Sequence, residues 1–166
     1  MGFASLHPSY ALGQLGKVDL VATTPVPIDT HIRLASMRQI NRAIDHCYNG
    51  EYECAITLAH AGEGMLPEPE KLYLRHKIKN MSKSDEIQAA GGATDPNDIS
   101  VWLKHGTFNG IRTEAATIPA EESVAFVCRA ISKFEAVYND LSPQMMSFRK
   151  WAKEWLENDL RAAKSS

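Results

Sequence analysis

The sequence predicts an all-α bundle of about five helices. Apolar residues recur in steps of three and four, first through Met37, Ile40, Ile44 and Cys47 and most clearly through Val124, Val127, Ile131, Phe134, Tyr138 and Leu141. Helix start and stop residues punctuate these runs, and no strand pair or hairpin competes with them. The chain has 166 residues, 44% of them hydrophobic and 23% charged. That is one ordinary globular domain, long enough to bury a sizeable core.

Residues 1–28 are rich in Gly, Pro, Ser and Thr and show no sustained period, so they read as an arm or tail with a short extended piece near residues 18–22. The bundle is expected over residues 29–163. Asp29 or Thr30 caps the first helix, and Asn49-Gly50 ends it. A second helix over residues 51–66 turns Tyr52, Ala55, Ile56, Ala59 and Leu66 to the core and stops at Pro67 and Pro69. The short connection folds these two into an antiparallel hairpin. A shorter helix is expected over residues 70–80, followed by a loop over residues 82–93 that ends in Gly91-Gly92.

Asp95-Pro96 reads as a cap followed by proline at the first helical position, starting a helix that carries Ile99, Trp102 and Leu103 and ends at Gly106. Residues 107–118 lack a period and read as loop. Ile118-Pro119 with Glu121 and Glu122 opens the longest amphipathic run, and Ser142-Pro143 caps a last helix with Met145, Phe148, Ala152 and Trp155 on its core face. Trp102, Trp151 and Trp155 are expected as core or interface anchors.

Net charge is −2, which gives no global field for nucleic acid or anionic lipid. Cys47, Cys54 and Cys128 are odd in number, widely spaced and set in apolar helical patterns, which suits small hydrophobes in a reducing compartment. No apolar run is long enough to span a membrane, and no secretory or myristoylation signal is read at the start, so a cytoplasmic location is expected. No cofactor motif is found; Gly91-Gly92 lacks the lysine and helix of a phosphate loop.

The segment Ala-Ile-Thr-Leu-Ala-His-Ala-Gly-Glu-Gly-Met-Leu, residues 55–66, places Glu63 and His60 among small residues at helical spacing. Small residues allow close helix approach, and a buried carboxylate needs a partner. Glu63 and His105, with His60 and Lys104 beside them, are therefore the candidate polar cluster, as an interhelical acid–base pair of a small hydrolase or ribonuclease. The alternative is that Glu63 bonds a helix terminus or a histidine and fixes packing. His60 and Glu63, three apart, also suggest a metal pair, but two-metal bundles repeat such pairs on separate helices and this chain has one. Lys71, Arg75, Lys77, Lys79 and Lys83 form a basic stretch suited to a nucleic-acid or protein partner, or to a solvated face. It directly follows an acidic block, Glu51 to Glu70, and opposite patches of this kind can complement each other between subunits.

The ordered motifs INRAIDHCYNGEYECAITLAHAGEGML, VWLKHG and the Phe and Trp of MSFRKWAKEW, spread over residues 37–156, resemble a family of small, mostly uncharacterised bacterial helical proteins. That family implies an all-helical domain and no particular activity. More distantly, the helix hairpin followed by a helix ending near a histidine is similar to HEPN domains, many of which are metal-independent ribonucleases. Their signature is an arginine four to six residues before the histidine. Here the corresponding positions before His105 are Asp98, Ile99 and Ser100. An acid cannot stabilise a phosphoryl transition state as a guanidinium does. The resemblance thus implies a catalytically degenerate HEPN-like module that binds a protein or nucleic-acid partner, as a homodimer.

Overall fold

The computed structural model describes residues 27–76, 97–108 and 110–164. The extended piece at 18–22, nearly all of the arm, the Asp95-Pro96 cap, the loop over 82–93 and the end of the helix expected over 70–80 lie outside those residues.

The chain is an all-α bundle. Its described helices are α1 (Ile32–Tyr48), α2 (Tyr52–Gly64), α3 (Asp98–His105), α4 (Ala120–Tyr138) and α5 (Pro143–Lys164). Residues 74–76 add a short helical piece. The helices α1 and α2 form the expected antiparallel hairpin. Gly50 takes φ +75°, its amide donates to the Cys47 carbonyl at 3.2 Å, and the Glu51 amide reaches the His46 carbonyl at 2.9 Å. That paired bonding satisfies the last carbonyls of α1 and turns the chain within three residues.

The helix α4 lies across the hairpin, against both α1 and α2, and α5 closes the bundle against α1 and α4. Ile40, Ala43, Ile44, Ala55, Ile56 and Ala59 meet Val127, Ala130, Phe134, Met145 and Phe148 in one core. Tyr48, Phe148 and Trp151 pack ring on ring with centroids 5.1 to 5.5 Å apart, which joins the end of α1 to α5. Trp151 and Trp155 are partly buried against the core, the anchoring role expected of them.

Two capping expectations came out differently. Ser142 does cap α5, its hydroxyl accepting the Met145 amide at 3.2 Å and donating to the Asn41 side chain at 2.8 Å. At α1 the cap position falls on His31, which makes no side-chain cap bond. Thr30 and Asp29 lie one and two residues before that position, so neither occupies the cap from which a side-chain oxygen bonds the N2 or N3 amide.

The stretch after α3 is a correction. Thr107–Phe108 (β1) and Ile111–Arg112 (β2) pair antiparallel, Thr107 opposite Arg112 and Phe108 opposite Ile111, around Gly110 at φ +77°. The overlooked signal is Asn109-Gly110, a dipeptide that favours tight hairpin turns. Trp102 stacks on Phe108 at 6.0 Å and its indole N–H donates to the Thr113 carbonyl at 2.8 Å, so the hairpin is folded back onto α3. Among the described residues no helix is long and apolar enough to cross a membrane.

Candidate functional site

The polar segment of α2 is inside the protein. Ser36 on α1 donates its hydroxyl to the Gly62 carbonyl at 2.8 Å, and a Cβ on Gly62 would stand 2.9 Å from Cγ1 of Ile40. The two helices are this close because residue 62 has no side chain. The next residue, Glu63, is 3% exposed and its Oε2 accepts a hydrogen bond from Nε of Arg129, itself 2% exposed, at 2.8 Å. The guanidinium carbon lies 4.3 Å from the Phe126 ring centroid, one helical turn back along α4. A buried ion pair thus ties α2 to α4.

Other polar groups surround this pair. Tyr73 is 2% exposed; burial, then the negative charge of Glu63, raises its hydroxyl above the usual range. Lys133 is 5% exposed, with Nζ 3.4 Å from Glu68 and 5.6 Å from the Tyr73 ring centroid. His76 closes this outer layer, Nε2 to Glu68 at 3.1 Å and edge-on to Tyr73. Oε1 of Glu63 and Nδ1 of His60 are buried and find no hydrogen-bond partner among the described residues, so this node carries a desolvation cost.

His60 is half-buried one turn before Glu63, its ring 6.2 Å from that of Phe126. Burial, followed by the positive charges of Lys104, Arg129 and Arg75, pushes its pKa down to about 4. The imidazole is therefore neutral at physiological pH. Among those charges Lys104 is contributed by α3.

Glu63 and His105 do not pair. Glu63 is bonded to Arg129, whereas His105 is exposed as the last residue of α3, just before Gly106 at φ +66°. The acid of the expected acid–base pair is thus sealed in the core and the histidine is in solvent. A guanidinium on Glu63 also disfavours a cation beside it, and among the described residues no three His, Cys, Asp or Glu side chains group to hold a metal ion. Of the basic stretch, Lys71 is exposed and Arg75 is half-buried, while Lys77, Lys79 and Lys83 lie outside the described residues.

In the sequence Arg129 is hidden by the apolar period of its helix. A signal was present: Ser123 to Ile131 holds a single charged residue, too few for a helix with one face in water. A lone base in one such run and a lone acid in another are natural partners.

On the outer side of α4 the chemistry reverses. An open cleft of about 410 Å³ runs between α4 and α5, with Ile131 and Ala152 at its base and Leu72, Leu74 and Leu156 around it. Leu72 is 73% and Leu156 47% exposed. The Leu74 amide donates to the Ser132 hydroxyl at 3.1 Å, which pins residues 72–74 as a third wall. Cys128 also lines the cleft; burial pushes its thiol up to about 11, so it is protonated at neutral pH and serves as a small hydrophobe. Cys54, expected on an apolar pattern, is instead exposed on α2. Glu135, bonded to Arg149 at 2.6 Å, and the Lys153–Glu157 pair form the charged rim.

Comparison of the chain with protein-family models, curated proteins and solved structures gives no match in any of the three.

Proposed function

We propose that the chain is a HEPN-like helical module that lacks the nuclease chemistry of its distant relatives and acts in the cytoplasm by protein contact, as a homodimer. The observation that carries this is the cleft between α4 and α5. Its lining residues Cys128, Ile131, Ser132 and Glu135 on α4, and Arg149, Ala152, Lys153 and Leu156 on α5, both follow steps of three, one and three. Two helices presenting such faces side by side leave a groove of the shape a third helix fills. Exposed apolar surface with a charged rim is the usual form of a protein docking site.

The absence of an arginine ahead of His105 supports the loss of nuclease chemistry, and the engagement of Glu63 by Arg129 supports an architectural role for that carboxylate. Light scattering over a dilution series, run beside a fluorogenic RNA cleavage assay, tests the reading. A dimer mass at micromolar concentration and no RNA cleavage are expected. Cleavage that His105→Ala abolishes would overturn it in favour of the ribonuclease alternative.

A further inference from the structure

We infer that the occupant of the α4–α5 cleft is a second copy of this chain, docked with the two α5 helices antiparallel. This rests on the homodimer reading above and assigns it a surface and a register.

The first argument is the order of charges. Along the exposed side of α5, the cations Arg149, Lys150 and Lys153 come first, the anions Glu154 and Glu157 follow, and Arg161 comes after them. Laid antiparallel on its own copy, with a two-fold axis between positions 153 and 154, the helix brings Lys153 opposite Glu154 and Lys150 opposite Glu157. The symmetry repeats each pair, so four cross-subunit ion pairs form from two residue pairs. Laid parallel, the same helix would place like charges side by side. The order is therefore self-complementary in one orientation only, and charge complementarity of this kind fixes register and partner choice.

The second argument is that these charges are available. Lys153 and Arg161 each meet Glu157 at 4.0 Å within the same helix, with side chains 78%, 77% and 49% exposed. A pair this long and this exposed contributes little and exchanges readily for a shorter contact across an interface.

The third is apolar surface adjoining the charged strip. Leu156 and Leu72 project at the cleft, and Met146, 52% exposed, stands on the same flank of α5. A helix of 22 residues extends roughly 33 Å. Laid antiparallel, two such helices bring the apolar cleft residues of both copies together beside the charged strip.

The test is a charge swap read by sedimentation equilibrium on the full chain. One variant carries Lys150→Glu and Lys153→Glu, which makes all four pairing positions acidic; the other carries Glu154→Lys and Glu157→Lys, which makes all four basic. All four side chains are exposed, and circular dichroism checks that each variant keeps its helix content. Each variant alone is expected to dissociate about tenfold or more readily than the wild type. Mixing the two restores a dimer containing one copy of each. If both variants dimerise like the wild type, or if mixing restores nothing, this surface and register are overturned while the homodimer reading stands. A wild type that is monomeric throughout overturns both.

Discussion

The two faces of α4 invert the usual distribution of polar and apolar groups in opposite senses. Its inner face buries Arg129 and Lys133 and takes Glu63 out of water with them. Its outer face, one step of the helix away, leaves an apolar cleft open beside Ile131. Each inversion costs free energy, one through desolvation and the other through exposed hydrocarbon. The difference between them is instructive: charges sealed inside a bundle act on which helices pair, whereas hydrocarbon left outside acts on what else can attach. On this account Glu63, the chemically conspicuous residue, helps hold the fold together, and the bland cleft is the proposed docking surface.

Breaking the inner pair has the largest expected effect. Glu63→Ala or Arg129→Ala strands a buried charge and costs about 3–5 kcal/mol in urea unfolding. The double variant Glu63→Leu with Arg129→Met removes both charges and returns to within about 1 kcal/mol of wild type or above it. Additive losses in that double variant would mean that the two residues do not act as a pair.

Crowding the hairpin comes next. Gly62→Ala places a methyl 2.9 Å from Ile40, and Ile40 is fully buried, so it has little room to move. Overpacking costs about 1–3 kcal/mol, offset in part by the better helix propensity of alanine at about 1 kcal/mol. A net loss of stability in urea unfolding is expected, and it is smaller when the change is made in an Ile40→Ala background, which removes the Cγ1 that the new methyl meets.

The pH dependence separates the two regions further. The unfolded chain protonates His60 near pH 6.5, but the folded chain resists until about pH 4. The unfolded state therefore binds more protons in that interval, and this residue's contribution to stability falls as pH drops from about 6.5 to about 4, then levels off. His60→Gln flattens that part of the profile; the shape of the cleft gives it no reason to change.

Thiol chemistry gives the smallest effect. Cys54 is exposed while Cys128 is held protonated in the cleft wall and Cys47 is buried. Alkylation of the native protein near neutral pH is expected at Cys54 first, with folding stability changed by less than about 0.5 kcal/mol. Peptide mapping of the modified chain checks the order.

Much of the bundle was legible in the sequence because period and punctuation are local. The apolar steps of α4, the serine cap of α5 and the glycine turn after α1 each need only a few adjacent residues. The β1–β2 hairpin was legible too, in Asn109-Gly110, but a two-residue ladder has too little alternation to register as strand. The partner of Glu63 was not legible by period at all. Arg129 lies 66 residues away, and the pairing exists only because the fold packs α2 against α4. His105 drew attention by its place at a helix end, which the structure confirms, yet that same place puts it in solvent. The cleft escaped notice for a similar reason: Leu72 and Leu156 are single apolar residues in polar surroundings until the fold sets them side by side.

The division of labour between the two faces is tested most directly by sedimentation equilibrium of Leu156→Glu. This residue is half exposed at the cleft and contributes nothing to the buried core. The account predicts a folded chain with wild-type unfolding stability that sediments as a monomer at concentrations where the wild type is a dimer. A variant that remains dimeric with wild-type affinity would contradict it.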